Sequence, residues 1–288
     1  MLRSILVTLD GSASSIEAGQ LALALAQRTN AHIEGLGIVN SAWIQRPEPV
    51  PIGGTAHKKA LDLRMLQSAT ERVAAVLQSF REDAQQAKID AVETREVDGD
   101  PLLQIELEAT AHDLVVVGSK SLFDIDGELY EVPLCVDRII RGEPRPVLLF
   151  PQTLNGNLGG TLDAPVLIAF DGSPAASRAL HMFVLLGLAE GREVQVLTID
   201  NSSEKAAVAT AARACALLRR HGTTQTRGIG LSDREAGTPA EAILGTAKAL
   251  GVGMIVMGAY GHSGIREIFG SCTRSVLADC PKMLFLYH

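Results

Sequence analysis

The segment Ile5-Leu6-Val7-Thr8-Leu9-Asp10-Gly11-Ser12 decides the fold, because it occurs twice. Its second copy is Val166-Leu167-Ile168-Ala169-Phe170-Asp171-Gly172-Ser173. Each is an apolar run ending in Asp-Gly-Ser, which reads as a buried strand followed by a turn. Ala- and Leu-rich stretches follow, residues 14–28 and 175–189, and are predicted to be helical. Second strands are predicted over 32–39 and 193–200.

The correspondence continues outward. Asp100-Pro101 and Thr238-Pro239 each place a polar residue before a proline, the signature of a helix N-cap followed by the first helical position. The run Leu114-Val115-Val116-Val117-Gly118 parallels Met254-Ile255-Val256-Met257-Gly258, and each copy closes on a proline and an apolar strand, 146–150 and 281–287. The copies differ after the second strand. The first carries prolines 47, 49 and 51 and a long helical stretch over 58–87, whereas the second passes directly into a helix over 203–221. Strands alternating with helices give an α/β fold: two tandem doubly wound parallel-sheet domains, 1–152 and 164–288, joined by an Asn- and Gly-rich linker at 153–163.

Composition narrows the function. Hydrophobic residues make up 47% of the 288 residues and aromatics only 4%, as expected for layers of Val, Ile, Leu and Ala. The formal net charge of −7 argues against a nucleic-acid groove. No apolar run is long enough for a membrane span, and the N-terminus enters a strand without a cleavable signal pattern. The four cysteines show no metal-ligand spacing. The expectation is a reduced, cytoplasmic protein.

The chemistry concentrates after the fourth strand of the second copy. Gly258-Ala259-Tyr260-Gly261-His262-Ser263-Gly264 and Phe269-Gly270-Ser271-Cys272-Thr273 lead to a helix predicted over 274–280, with Ser271 and Thr273 at its start. Glycines let a ligand approach the backbone, and free amides at a helix start favour an anion. In a doubly wound sheet, ligands bind where the winding reverses, outside the C-terminal strand ends. If the first and fourth strands are neighbours, Asp171 and the Gly258 loop share one crevice. Asp171 then has two readings, ribose acceptor or helix cap. Cys272 also has two, a redox-sensitive thiol at a helix start or a small packing residue.

At these residues the sequence resembles the universal stress protein family, over both halves. The family pattern is Gly, two residues, Gly, nine residues, then Gly-Ser or Gly-Thr. Here Gly258, Gly261 and Gly270-Ser271 follow it with eight residues in place of nine. The resemblance implies an adenine nucleotide alpha hydrolase-like fold with five-strand sheets, and ATP (or AMP or ADP) with Mg²⁺ bound in the second half. It places Ala169, Phe170 and Asp171 at sugar and base and Ile199 at the adenine. Met257 and Gly258 fall along the sugar and phosphates, and Gly261, His262, Gly270, Ser271, Cys272 and Thr273 around the phosphate tail.

The first half departs from the pattern. Gly118-Ser119-Lys120-Ser121 lacks the second glycine, and Asp124, Asp126, Glu128 and Glu131 stand where phosphates would run. Those carboxylates oppose a polyphosphate and form either an acidic solvated loop or a hard-cation cluster. The expected function is a stress-linked, nucleotide-responsive module. Without a P-loop lysine, hydrolysis is at most slow. The alternative is an interaction protein with no nucleotide. The resemblance also implies an internal pseudo-dimer through the closing strands, with a homodimer as a further partner state.

Overall fold

Among the described residues each repeat has five strands, four at the predicted apolar runs and a fifth, 92–98 in the first repeat and 226–232 in the second, that no apolar run marks. In the computed structural model, residues 1–51, 53–120, 134–151, 158–200, 203–232, 237–259 and 268–288 are described. The first repeat runs β1 Ser4–Thr8, α1 Ala13–Thr29, β2 His32–Val39, α2 Ser41–Ile44, α3 Thr55–Gln86, β3 Val92–Asp98, α4 Pro101–Ala109, β4 Leu114–Gly118, α5 Leu134–Gly142 and β5 Val147–Phe150. After α6 Leu158–Asp163, the second runs β6 Val166–Ala169, α7 Pro174–Leu185, β7 Val194–Asp200, α8 Glu204–Arg220, β8 Thr226–Ser232, α9 Pro239–Ala249, β9 Met254–Gly258, α10 Ile268–Asp279 and β10 Met283–Tyr287.

The chain divides into two compact units, Arg3–Ile139 and Ile140–His288, the latter also holding Met1–Leu2. In the unit Arg3–Ile139 the strand order is β3-β2-β1-β4, all parallel. In the other it is β5-β10-β9-β6-β7-β8, parallel except where β5 meets β10. The closing strand of the first repeat therefore lies in the unit that holds the second. Leu149, Leu148 and Val147 pair with Leu284, Phe285 and Leu286.

Central strands are buried along their length, whereas β3 and β8 at the sheet edges carry partly exposed residues. This is the burial expected of parallel strands covered on both faces. The largest side chains fully removed from solvent include Phe150, Phe183 and Phe285.

Both predicted proline caps form. The Asp100 side chain accepts from Leu103 N at 3.1 Å, and Pro101 opens α4. Thr238 Oγ1 accepts from Glu241 N at 3.3 Å, while Glu241 Oε2 accepts from Thr238 N at 2.9 Å, a reciprocal capping box. Thr238→Ala is expected to cost about 1 kcal/mol, read as a lower denaturation midpoint. An unchanged midpoint would mean the cap contributes nothing.

Helix boundaries differ from expectation in several places. Helix α7 stops at Leu185 because Gly187 takes φ 77° and Leu188 N turns back to Phe183 O at 3.2 Å. The end of the expected linker, Leu158–Asp163, is helical.

Candidate functional site

Strand β6 lies beside β9, with Ala169 opposite Met257. From β6 the chain winds outward through β7 and β8 and then returns to the other side of β6 as β9. The reversal therefore falls between the C-terminal ends of β6 and β9, and it brings the Asp171 turn and the Gly258 end together.

The tip of β6 is fixed by its neighbour. Phe170 N donates to Leu197 O at 2.9 Å, and Thr198 Oγ1 donates to Phe170 O at 2.7 Å. The exposed Asp171 follows. Its Oδ1 accepts from Ser173 N at 2.9 Å, and Gly172 takes φ 79°. The helix cap is Ser173, whose Oγ accepts from Ala176 N at 3.1 Å. Asp171 thus shapes the turn but is not the N-cap. Ala169, Phe170 and Ile199 are half-buried at the tips of β6 and β7.

Met257 is buried, and Gly258 has a structural reason to lack a side chain. A Cβ there would stand 2.5 Å from Ala176 N and 2.6 Å from Ala175 C, at the start of α7. Gly118 repeats this in the first repeat, where a Cβ would lie 2.7 Å from both Ser14 C and Ser15 N of α1. The glycine ending the fourth strand is thus required by helix packing in both copies, whatever binds beside it.

Helix α10 opens at Ile268, earlier than the predicted 274, so Ser271 and Thr273 are not at its start. The first-turn amides, which have no partner within a helix, are those of the residues up to Gly270. Thr273 is buried. Cys272 is buried too, and burial, reinforced by the Asp171 carboxylate, pushes its thiol up to about 11. That is the opposite of an activated thiol. It favours the packing reading of Cys272 and sets Asp171 near α10. Gly261 and His262 lie outside the described residues, as does the acidic segment 124–131; Gly270 and Ser271 are described only as part of α10.

The first repeat is built differently at the same place. Asp10 is only 3% exposed, its Oδ1 accepting from Ser12 N at 2.8 Å. Arg72 of α3 lies across the tip: its Nε donates to Asp10 O at 3.1 Å, and a Cβ on Gly11 would lie 2.6 Å from Arg72 Cγ. In the second repeat the corresponding neighbour of Gly172 is Thr210 of α8, with Cγ2 3.6 Å from a Cβ placed there. The long arginine covers one tip and the short threonine leaves the other open. Neither residue was legible as a determinant, because the helix register over the strand tip is set by tertiary packing. In the first repeat that packing is anchored by Phe80, which fills the space left by Gly35 of β2.

Residues 1–150 and 164–288 each match the profile of the Universal stress protein family. The chain belongs to that family. It is 24% identical over 303 aligned positions to Universal stress protein Slr1230 of Synechocystis sp., covering 99% of this chain and 100% of that one. Among solved structures it is similar to a universal stress protein from Archaeoglobus fulgidus, with TM-score 0.71 and 20% identity over 99% of this chain and 97% of that one. A chain from Pseudomonas aeruginosa UCBPP-PA14, assigned to the same family, gives TM-score 0.58 and 19% identity over 99% and 93%. These structural likenesses establish the α/β fold of this universal stress protein. Among its described residues no helix is long and apolar enough to cross a membrane.

Proposed function

We propose that this universal stress protein binds an adenine nucleotide, ATP with Mg²⁺, in its second repeat and acts as a cytoplasmic stress-response module governed by that occupancy. The observation that carries the reading is the contrast between the strand tips. Asp171 is exposed at the winding reversal between β6 and β9, whereas the matching Asp10 is buried beneath Arg72. An ionised carboxylate that accepts and cannot donate suits ribose hydroxyls. Phosphates would then extend toward Gly258, Gly261, His262, Gly270, Ser271, Cys272 and Thr273, with the base toward Ala169, Phe170 and Ile199. Mg²⁺ would be carried chiefly by phosphate oxygens and water.

The test copies the closure of the first tip onto the second. Thr210→Arg puts a guanidinium over Gly172 as Arg72 lies over Gly11. Calorimetry of the full chain with ATP, ADP and AMP, with and without Mg²⁺, should give one nucleotide per chain and at least a tenfold weaker Kd in Thr210→Arg. Equal affinity in wild type and variant would remove the site from this tip.

The second reading, an interaction module without nucleotide, draws on α4, where Leu103 and Leu107 stand one turn apart at 63% and 62% exposure. No saturable binding of any of the three nucleotides would favour it.

A further inference from the structure

At the opposite ends of the strands, in the unit Arg3–Ile139, lies a cluster that nucleotide binding does not use. Strand β2 opens with His32-Ile33-Glu34, so His32 and Glu34 share one face. Register places Glu93 of β3 beside Glu34. One ligand atom from each of His32, Glu34 and Glu93 lies within 4.8 Å of the other two.

The set is a costly one to assemble without a ligand. Glu34 is 5% exposed, yet a second carboxylate stands next to it across the strands, and adjacent like charges are unfavourable. Arg95 Nε approaches Glu34 Oε1 at 3.0 Å, but that oxygen receives no aligned hydrogen bond. The same guanidinium is drawn to Glu108, with Nη1 3.1 Å from Oε1. His112 Nε2 stands 3.4 Å from Glu34 Oε2. His112 is also 5% exposed, and its Nδ1 has no hydrogen-bond partner. Two carboxylates, Glu34 and Glu108, therefore share one guanidinium, and a third, Glu93, stands beside Glu34. A buried oxygen lacking a good donor, inside a net negative group that includes an imidazole, is what a cation would satisfy.

We propose that His32, Glu34 and Glu93 form a binding site for a divalent transition-metal ion of the Zn²⁺ type, with His112 positioning the Glu34 carboxylate from behind. One imidazole nitrogen and two carboxylate oxygens are a borderline donor set, which suits Zn²⁺ better than Mg²⁺. Donors around Zn²⁺ sit about 2.0–2.2 Å from the ion, so the three groups must draw together. Glu93 is exposed and has the side-chain freedom to close the set. A histidine behind a ligating carboxylate is the kind of outer partner that orients metal ligands. Such an ion would tie β2 to β3 at the sheet edge and free Arg95 for Glu108.

The experiment is a titration of the tag-free full chain, without nucleotide, with Zn²⁺ and separately with Mg²⁺, read by calorimetry and thermal unfolding. The expected result is one Zn²⁺ per chain with a rise in Tm, and at least a tenfold weaker Kd in both His32→Gln and Glu93→Gln. Glu93 is exposed, so its variant keeps the fold, which far-UV circular dichroism would verify. Absence of saturable Zn²⁺ binding, or unchanged affinity in both variants, overturns the proposal, as does Mg²⁺ binding at the same groups with equal affinity. None of these outcomes depends on nucleotide binding at the β6–β9 reversal.

Discussion

Truncating Phe285 to alanine is expected to lower the unfolding free energy by about 3–5 kcal/mol. Phe285 sits on β10 between β5 and β9, opposite Leu148 and Val256, and is fully buried. Its ring meets Phe183 of α7 edge-on, with centroids 5.4 Å apart and planes at 72°. The substitution removes this aromatic pair and leaves a cavity bounded by both sheet and helix, where close packing limits collapse. The readout is the guanidinium midpoint at unchanged m-value. A shift equivalent to less than about 1 kcal/mol, an ordinary surface-like effect, would mean that the strand order or the helix placement is wrong.

The second large effect is at Gly258. Its missing side chain is occupied by backbone atoms of Ala175 and Ala176, not by the flexible end of a side chain. Gly258→Val must therefore push the first turn of α7 away from β9, at a cost of about 3 kcal/mol, the upper end for overpacked cores. The same turn carries the Asp171–Ser173 hydrogen bond and the Ser173 cap, so the variant should also lose the proposed nucleotide affinity. Gly245, inside α9, is the matched control: no atom within 4 Å opposes a Cβ there. Gly245→Ala should be neutral or stabilising by up to about 1 kcal/mol, since alanine is the better helix former. Equal destabilisation at the two glycines would refute the packing account of Gly258. Denaturant unfolding of both variants, with calorimetry of any that stays folded, makes the comparison.

The sequence disclosed the repeats, four strands of each and the proline caps because each is a local pattern: a solid apolar run, an Asp-Gly-Ser turn, a polar residue before proline. The pairing of β6 with β9, on which the shared crevice is conditional in the sequence, is observed. What stayed hidden depends on distances between segments remote in the chain. Arg72 covers Asp10 only because α3 is seated on β2 through Phe80 and Gly35. Cys272 has two readings in linear order, reactive thiol or packing residue, and only the start of α10 at Ile268 and the burial of the side chain decide for packing. His32, Glu34 and Glu93 carry no motif in linear order, since only the β2–β3 register brings the third beside the first two. Gly258 was read as ligand-driven, and the atoms of α7 supply a sufficient packing reason.

The place of β5 bears on whether the duplicated gene is still divisible at its own repeat boundary. A fragment beginning at residue 164 would carry all of the second copy and yet lack the strand that hydrogen-bonds to one side of β10. The backbone amides and carbonyls of residues 284–286 would then face solvent beside three large apolar side chains, a template for self-association. Fission at the repeat boundary would yield a sticky half-protein, whereas a cut ahead of β5, near the boundary between the two compact units, would leave β10 covered.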